Sequence, residues 1–332
     1  MPRRSFLHMG VTTRRESPQP GAPPAPQVEQ AVLRTVAYAD VFDYPLDARE
    51  VHRYLHGTAA TPEATETALA RCSAPGGALC QRDGLYTLPG RESLVAVRHR
   101  RAVTADRLWP AALSYGRLIA GLPFVRMVAI TGSLAWHNVD AEADIDYLIV
   151  TAPDRLWVCR WLIVALGRAA RLDGVKLCIN YLISTRALGF AHRNLYTAYE
   201  LARMTPIAGL GMYRRLRRAN PWVEAYLPNA VNLPRAPERD ASDSPHRHNT
   251  GLAHLARLTQ RLLASPLGAL LERWEMTYRI RKRAKLRNPT GEAAYGVDWY
   301  KNHNSGHAGR TLAAFARRVR GLDADFVLRR EA

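Results

Sequence analysis

Cysteine is scarce in this sequence, and long apolar runs are missing. The four cysteines lack the spacing of metal ligands, so we expect reduced, mostly buried thiols. No apolar run reaches the length of a membrane span, and no apolar signal core follows the N-terminal arginines. The sequence therefore predicts a cytoplasmic protein that has no membrane partner.

Negative charge is also scarce. The 332 residues include 47 Lys and Arg against 29 Asp and Glu, which gives a net charge of +18. Such an excess favours a polyanionic partner, and nucleic acid is the first candidate. An arginine-rich proteome produces the same excess, so charge alone leaves the partner open.

Composition and periodicity divide the chain into segments of an α+β (mixed α/β) protein. Residues 1–27 are rich in Pro, Arg and Ser and are expected to form a disordered tail. Residues 28–101 predict a winged-helix-like domain, and residues 102–190 a core of a small mixed sheet with helices. The later segments are a helical extension at 191–228, a linker at 229–249 and a C-terminal helical region at 250–332.

The winged-helix prediction rests on three helices and a hairpin. The first helix is expected at 28–41, with four small or branched apolar residues on one face. Asp47 and Glu50 have the spacing of a capping box for the second helix, and Thr61-Pro62 is typical of the start of a third. Asp83-Gly84 between β-forming residues predicts the hairpin. The apolar face of the first helix consists of Val28, Val32, Val36 and Ala39.

The third helix is unfavourable for DNA binding. Its outward residues are predicted to include two carboxylates, which oppose contact with phosphates. We therefore favour a packing or protein-contact role for this domain and keep DNA binding as the alternative. The predicted outward residues are Glu63, Thr65, Glu66 and Thr67.

Two apolar runs near the centre of the chain enclose the most informative motif. Met127–Ile130 and Tyr147–Val150 have the length and β-branched content of buried strands. Asp144 and Asp146 lie at the start of the second run, and alternation along a strand predicts that they point to the same side. Two carboxylates at so short a distance repel each other unless a cation lies between them. Mg²⁺ is a suitable cation, because it prefers carboxylate oxygens as ligands.

Gly132-Ser133, at the end of the first run, completes the motif. A strand, Gly-Ser, a spacer and then Asp-x-Asp on the next strand resemble the signature of the polymerase-β-like nucleotidyltransferase superfamily. The resemblance implies that Asp144 and Asp146 are catalytic and hold two Mg²⁺ ions. It also implies that Gly132 and Ser133 hold the outer phosphates of a nucleoside triphosphate such as ATP. A nucleotide would then pass to an acceptor, which is a small molecule, a protein hydroxyl or an RNA end, with loss of pyrophosphate.

The predicted third strand, at 176–184, departs from the family pattern. The superfamily usually has a third acidic residue here, whereas the face shared by Cys178, Asn180 and Leu182 has none. Asn180 is the nearest substitute in the nucleotide site, because its amide oxygen can ligate a cation although it cannot act as a base. Glu200, on the next helix, is a second candidate, set against a solvated or salt-bridged role.

Three further helical patterns flank this core. Residues 92–122 predict a helix with a break near Pro110, and 154–170 an amphipathic helix with Trp157 and Trp161 in the core. Residues 251–285 predict a long helix broken at Ser265-Pro266. The basic run that follows Tyr278 suits either a phosphate or nucleic-acid contact, or a solvated helix face.

Two functional hypotheses follow from the sequence. The first is an Mg²⁺-dependent nucleotidyltransferase, which includes the nucleotidyltransferase partner of a toxin–antitoxin pair. The alternative is a non-catalytic, nucleotide-sensing winged-helix regulator or nucleic-acid-binding protein. The missing third carboxylate favours the sensor, whereas the intact Asp-x-Asp pair favours the enzyme.

Overall fold

The computed structural model describes residues 23–140, 142–231, 260–284, 294–301 and 306–330. It is a mixed α+β structure, as predicted, with one three-stranded and one six-stranded sheet in these ranges. Most of the expected tail and linker lie outside the described residues, but the first helix already begins at Ala25, inside the predicted tail. In the same ranges no helix has the length and apolar content needed to cross a membrane.

The N-terminal part combines three helices with a small antiparallel sheet. The helices and the hairpin turn at Asp83-Gly84 confirm the predicted elements, and the capping box is present, with the Asp47 carboxylate accepting from the Glu50 N–H at 2.8 Å. Thr65 is not outward-facing as predicted, because α1 packs against this side of α3 and buries it fully. The elements are α1 (Ala25–Asp40), β1 (Leu46–Asp47), α2 (Ala48–Arg53), α3 (Pro62–Cys72), β2 (Cys80–Arg82) and β3 (Leu85–Thr87).

A long helix leads into the six-stranded sheet. This helix, α4 (Leu94–Ala120), passes through Pro110 without a break, so the predicted break is wrong. Ala105 and Ala112 are buried on either side of the proline, and packing of both halves outweighs the lost hydrogen bond. The next elements are β4 (Val125–Thr131), α5 (Gly132–Ala135), β5 (Ile145–Thr151), α6 (Leu156–Ala170) and β6 (Leu177–Ser184).

The remaining elements extend the sheet at both edges. The strand order is β7-β4-β5-β6-β9-β8, in which β5 and β6 pair parallel and the other neighbours pair antiparallel. The sequence did not predict β7, β8 or β9, which are only two to four residues long. These last elements are α7 (Leu195–Arg203), β7 (Thr205–Ala208), α8 (Leu210–Arg218), α9 (Val223–Tyr226), α10 (Pro266–Ala284), β8 (Ala294–Tyr295), β9 (Trp299–Lys301) and α11 (His307–Arg330).

A β-bulge in β6 changes which residues share a face. Tyr147 is opposite Ile179, but Leu148 is opposite Tyr181, so Asn180 is the extra residue between two paired positions. Leu182 therefore packs in the cluster under α4 and α6, on the face opposite to the predicted one. Trp161 also differs from prediction, since its side chain is 48 % exposed on α6.

Polar contacts attach the N-terminal helices to the core. Asn138, in the loop after α5, donates from Nδ2 to the Phe42 carbonyl at 2.9 Å, and its Oδ1 accepts from Arg101 at 3.2 Å. The Arg318 guanidinium of α11 donates to the buried carboxylate of Asp40 at 2.6 Å. The end of α1 is therefore fixed against both the core and α11.

We expect Asn138→Ala to destabilise the protein by about 2 kcal/mol, because the Phe42 carbonyl and Arg101 each lose a hydrogen-bond partner. Urea unfolding measures this change. Thr104→Ala is the matched control, since the exposed Thr104 hydroxyl bonds only within its own helix. Equal stability of the two variants would show that Asn138 does not attach the N-terminal helices.

Candidate active site

A cavity of about 270 Å³ lies at the end of β4 and the beginning of β5, between the core and the N-terminal helices. Four of the five predicted site residues line it: Gly132, Ser133, Asp146 and Asn180. Its polar lining also includes Asn138, Glu200 and His307, and five aromatic side chains complete the wall. The aromatic residues are Tyr38, Phe42, Trp136, Tyr196 and Tyr199.

Gly132 lies directly against the carboxylate of Asp146. Its φ of +64° is in the left-handed region, and a Cβ added there would lie 2.3 Å from Asp146 Oδ2. Thr131 is paired with Asp146 across the two strands, so the turn after β4 passes over this carboxylate. Only glycine combines this backbone angle with this close approach.

Asp144 and Asp146 are placed differently. Strand pairing begins at Ile145, so alternation along the strand does not fix the direction of Asp144, which is exposed and does not line the cavity. Burial raises the pKa of Asp146 to about 7, and the nearby charges of Glu200 and Asp144 raise it further against the opposing hydrogen bond from Cys178. The protein therefore compensates the charge of Asp146 only in part, through the hydrogen bond from Cys178.

Asn180 and Glu200 meet beside Asp146. Both protons of the Asn180 amide are donated, to Thr131 Oγ1 at 3.0 Å and to Glu200 Oε2 at 3.1 Å. The amide oxygen is then the atom that remains to ligate or accept. Burial raises the pKa of Glu200, and its half-buried side chain lines the cavity, which supports its candidacy over a fully solvated position.

The sequence contained a signal for the position of Glu200. Tyr196, Glu200 and Arg203 recur at helical spacing, which places them along one stripe of α7. Arg203 was missed entirely, and its buried guanidinium lies 3.5 Å from the centroid of the Trp136 ring and 3.9 Å from that of Tyr54. It supports the aromatic wall from behind through cation–π contacts.

The Asp146 carboxylate and the Asn180 amide oxygen are donors that suit a hard cation, and the Glu200 carboxylate lines the same cavity. Carboxylate and amide oxygens are the ligands that Mg²⁺ prefers, and Mg²⁺ usually retains positions for water and phosphate. Within the described ranges, no group of three or more His, Cys, Asp or Glu side chains is arranged to hold a metal. The oxygen atoms present therefore fit a cation whose coordination a substrate completes, and the two ions implied by the resemblance stay a prediction.

Comparison with protein-family models, curated proteins and solved structures gives no match. The resemblance to nucleotidyltransferases therefore rests on the motif residues and on the strand and helix order around them.

The raised pKa of Asp146 predicts an unusual pH dependence of stability without metal. The folded state holds this proton more tightly than the unfolded state, so protonation of Asp146 stabilises the fold. This stabilisation is complete below the ordinary pKa of 3.8 and is lost as the pH rises to about 7. In EDTA, the stability of Asp146→Asn relative to the wild type should be greater at pH 8 than at pH 5 by about 2 kcal/mol. Urea unfolding at the two pH values measures the difference. If the stability difference between Asp146→Asn and the wild type were the same at both pH values, Asp146 would have an ordinary pKa.

Proposed function

We propose that this protein is a cytoplasmic, Mg²⁺-dependent nucleotidyltransferase of the polymerase-β-like type, which transfers a nucleoside monophosphate from a nucleoside triphosphate to an acceptor. The observation that carries the proposal is the approach of Gly132 to the Asp146 carboxylate inside one cavity. Gly132 and Asp146 are 14 residues apart in sequence, and a nucleotide site requires the Gly-Ser turn and the aspartate to meet in space. The shared cavity is what such a site needs.

The described side chains suggest separate roles in the reaction. Ser133 lines the cavity beside Gly132, where its hydroxyl would donate to a terminal phosphate of the triphosphate. Asp146 and the amide oxygen of Asn180 would hold Mg²⁺, with Asp144 close enough to influence its charge. When bound, Mg²⁺ neutralises phosphate charge and polarises the phosphoryl group.

Glu200 is the group best suited to receive the acceptor's proton. The acceptor oxygen forms a bond to the α-phosphorus, the bond to the bridging oxygen breaks, and pyrophosphate leaves with that electron pair. The released proton goes to the Glu200 carboxylate, whose pKa is raised by burial and therefore lies nearer to neutral pH. Asn180 holds Glu200 Oε2 at 3.1 Å and so orients it towards the cavity.

A nucleotide sensor is the competing function, because Asn180 occupies the strand where the family usually has an acid. Isothermal titration with each nucleoside triphosphate, with and without Mg²⁺, measures binding, and a coupled assay measures pyrophosphate. Mg²⁺-dependent binding with pyrophosphate release in the presence of cell extract would support the transferase. Binding without pyrophosphate release over a panel of acceptors would support the sensor, and absence of binding would exclude both.

A further inference from the structure

The inner face of helix α10 is fully engaged with the core. The Glu272 carboxylate accepts from the Trp157 and Val158 N–H groups of α6, at 2.9 and 2.7 Å. Glu275 pairs with the buried Arg160 guanidinium at 3.0 Å. These are the two acidic residues of the helix, so its orientation is fixed and both of its carboxylates face the protein.

The outer face of α10 is an apolar stripe exposed to solvent. Leu267, Leu270, Trp274 and Tyr278 follow one another at intervals of three or four residues, which places them along one side of the helix. Their exposed fractions are 72, 60, 61 and 45 %, and the Trp274 and Tyr278 rings stack at 5.8 Å. A contiguous exposed stripe of large apolar side chains marks an interaction surface.

Positively charged side chains lie on the same helix as this apolar stripe. Arg273, Arg281 and Lys282 are exposed on the same helix, and the basic run continues in the sequence to Arg287. Because Glu272 and Glu275 face inwards, the exposed side of α10 combines apolar groups with positive charge and carries no carboxylate. A complementary surface must be both apolar and anionic.

We propose that the outer face of α10 binds the surface of an anionic phospholipid membrane. Leu, Trp and Tyr side chains enter the boundary between headgroups and acyl chains, while Arg and Lys contact the anionic headgroups. A helix that lies on a membrane needs no spanning length, so this proposal revises only the expectation that the protein has no membrane partner.

Other occupants fit the same face less well. A second copy of the chain, paired through α10 about a two-fold axis, would present the same carboxylate-free face, so it offers no anionic partner to Arg273, Arg281 and Lys282. Nucleic acid would satisfy Arg273, Arg281 and Lys282 but would leave the two leucines without an apolar partner. An anionic lipid surface satisfies both groups.

Sedimentation of the full-length protein with vesicles tests the proposal. One vesicle set contains equal parts of phosphatidylglycerol and phosphatidylcholine, and the other contains phosphatidylcholine alone. We expect binding at least about tenfold stronger to the anionic vesicles, and loss of at least about tenfold in binding for the Leu270→Ser, Trp274→Ser double variant. The matched control is Val103→Ser, Leu172→Ser, which changes two other exposed apolar residues, 52 and 89 % exposed, and should bind as the wild type does.

Three results would overturn the proposal. The first is no sedimentation of the wild type with anionic vesicles at low salt, and the second is equal binding by the α10 variant. The third is evidence for a different occupant of the α10 face. Light scattering would show a dimer that the α10 variant no longer forms, or the wild type would bind duplex DNA, but not vesicles, and the α10 variant would lose DNA binding. Urea unfolding of both double variants establishes that they fold as the wild type does.

Discussion

Asp146→Asn should lower the rate of nucleotide transfer by at least about 1,000-fold, because it removes the charge of the only aspartate that lines the cavity in the described part of the chain. Asparagine keeps the shape of the side chain, so packing against Gly132 is preserved. The initial rate of pyrophosphate release, at saturating Mg²⁺ and nucleoside triphosphate, measures the effect.

Glu142→Gln is the control for Asp146→Asn. Glu142 is an exposed carboxylate in the loop that leads into β5, four residues before Asp146, and does not line the cavity. Its loss should change the rate by less than about twofold. If Asp146→Asn kept half of the wild-type rate, the cation would be held elsewhere and the proposed mechanism would be wrong.

Gly132→Ala should impair both stability and transfer. The added methyl group would lie 2.3 Å from Asp146 Oδ2 and 3.0 Å from its Cγ, at a φ of +64° that alanine tolerates poorly. We expect a destabilisation of about 3 kcal/mol and a loss of at least about 100-fold in transfer rate, because the carboxylate must move. Urea unfolding and initial rates measure the two effects.

Gly174→Ala separates the clash from the backbone strain. Gly174 has a similar φ of +74°, but an added Cβ would have no neighbour within 4 Å. It should therefore cost only about 1 kcal/mol of stability and leave the transfer rate unchanged. If the two glycine variants had equal rates, the approach of Gly132 to Asp146 would have no role in the site.

The sequence predicted the central elements well because their patterns are local. The strands β4, β5 and β6, the helix α6 and the turn at Gly132 follow from apolar runs and turn residues that any single sequence displays. The capping box at Asp47 and the hairpin at Asp83-Gly84 were predictable for the same reason.

The contents of the cavity were less predictable because they depend on distant parts of the chain. The bulge at Asn180 is a feature of the pairing between β5 and β6, and no local sequence pattern in β6 predicts it. Tyr38 and Tyr199 stack at 4.2 Å although they are far apart in sequence, which only the packing of α1 on α7 determines. Asp144 lies just before the first paired residue of β5, so strand alternation does not fix its direction, and it does not line the cavity.

The N-terminal helices also acquire a role that the sequence left open. Tyr38 and Phe42 of the α1 end line the cavity, so this part of the chain forms one wall of the candidate active site. His56 Nε2 lies 3.0 Å from the Tyr199 hydroxyl, which attaches the segment after α2 to α7. This arrangement supports the packing role that we favoured for residues 28–101.

Transfer of label from nucleoside triphosphates tests the proposed function most directly. The protein is incubated with Mg²⁺ and cell extract, in parallel with triphosphates labelled at the α- or the γ-phosphate. A nucleotidyltransferase must label an acceptor from the α-phosphate and not from the γ-phosphate, and Asp146→Asn must abolish the labelling while Glu142→Gln retains it. Labelling from the γ-phosphate, equal labelling by Asp146→Asn, or no labelled acceptor with any nucleotide would contradict nucleotidyl transfer.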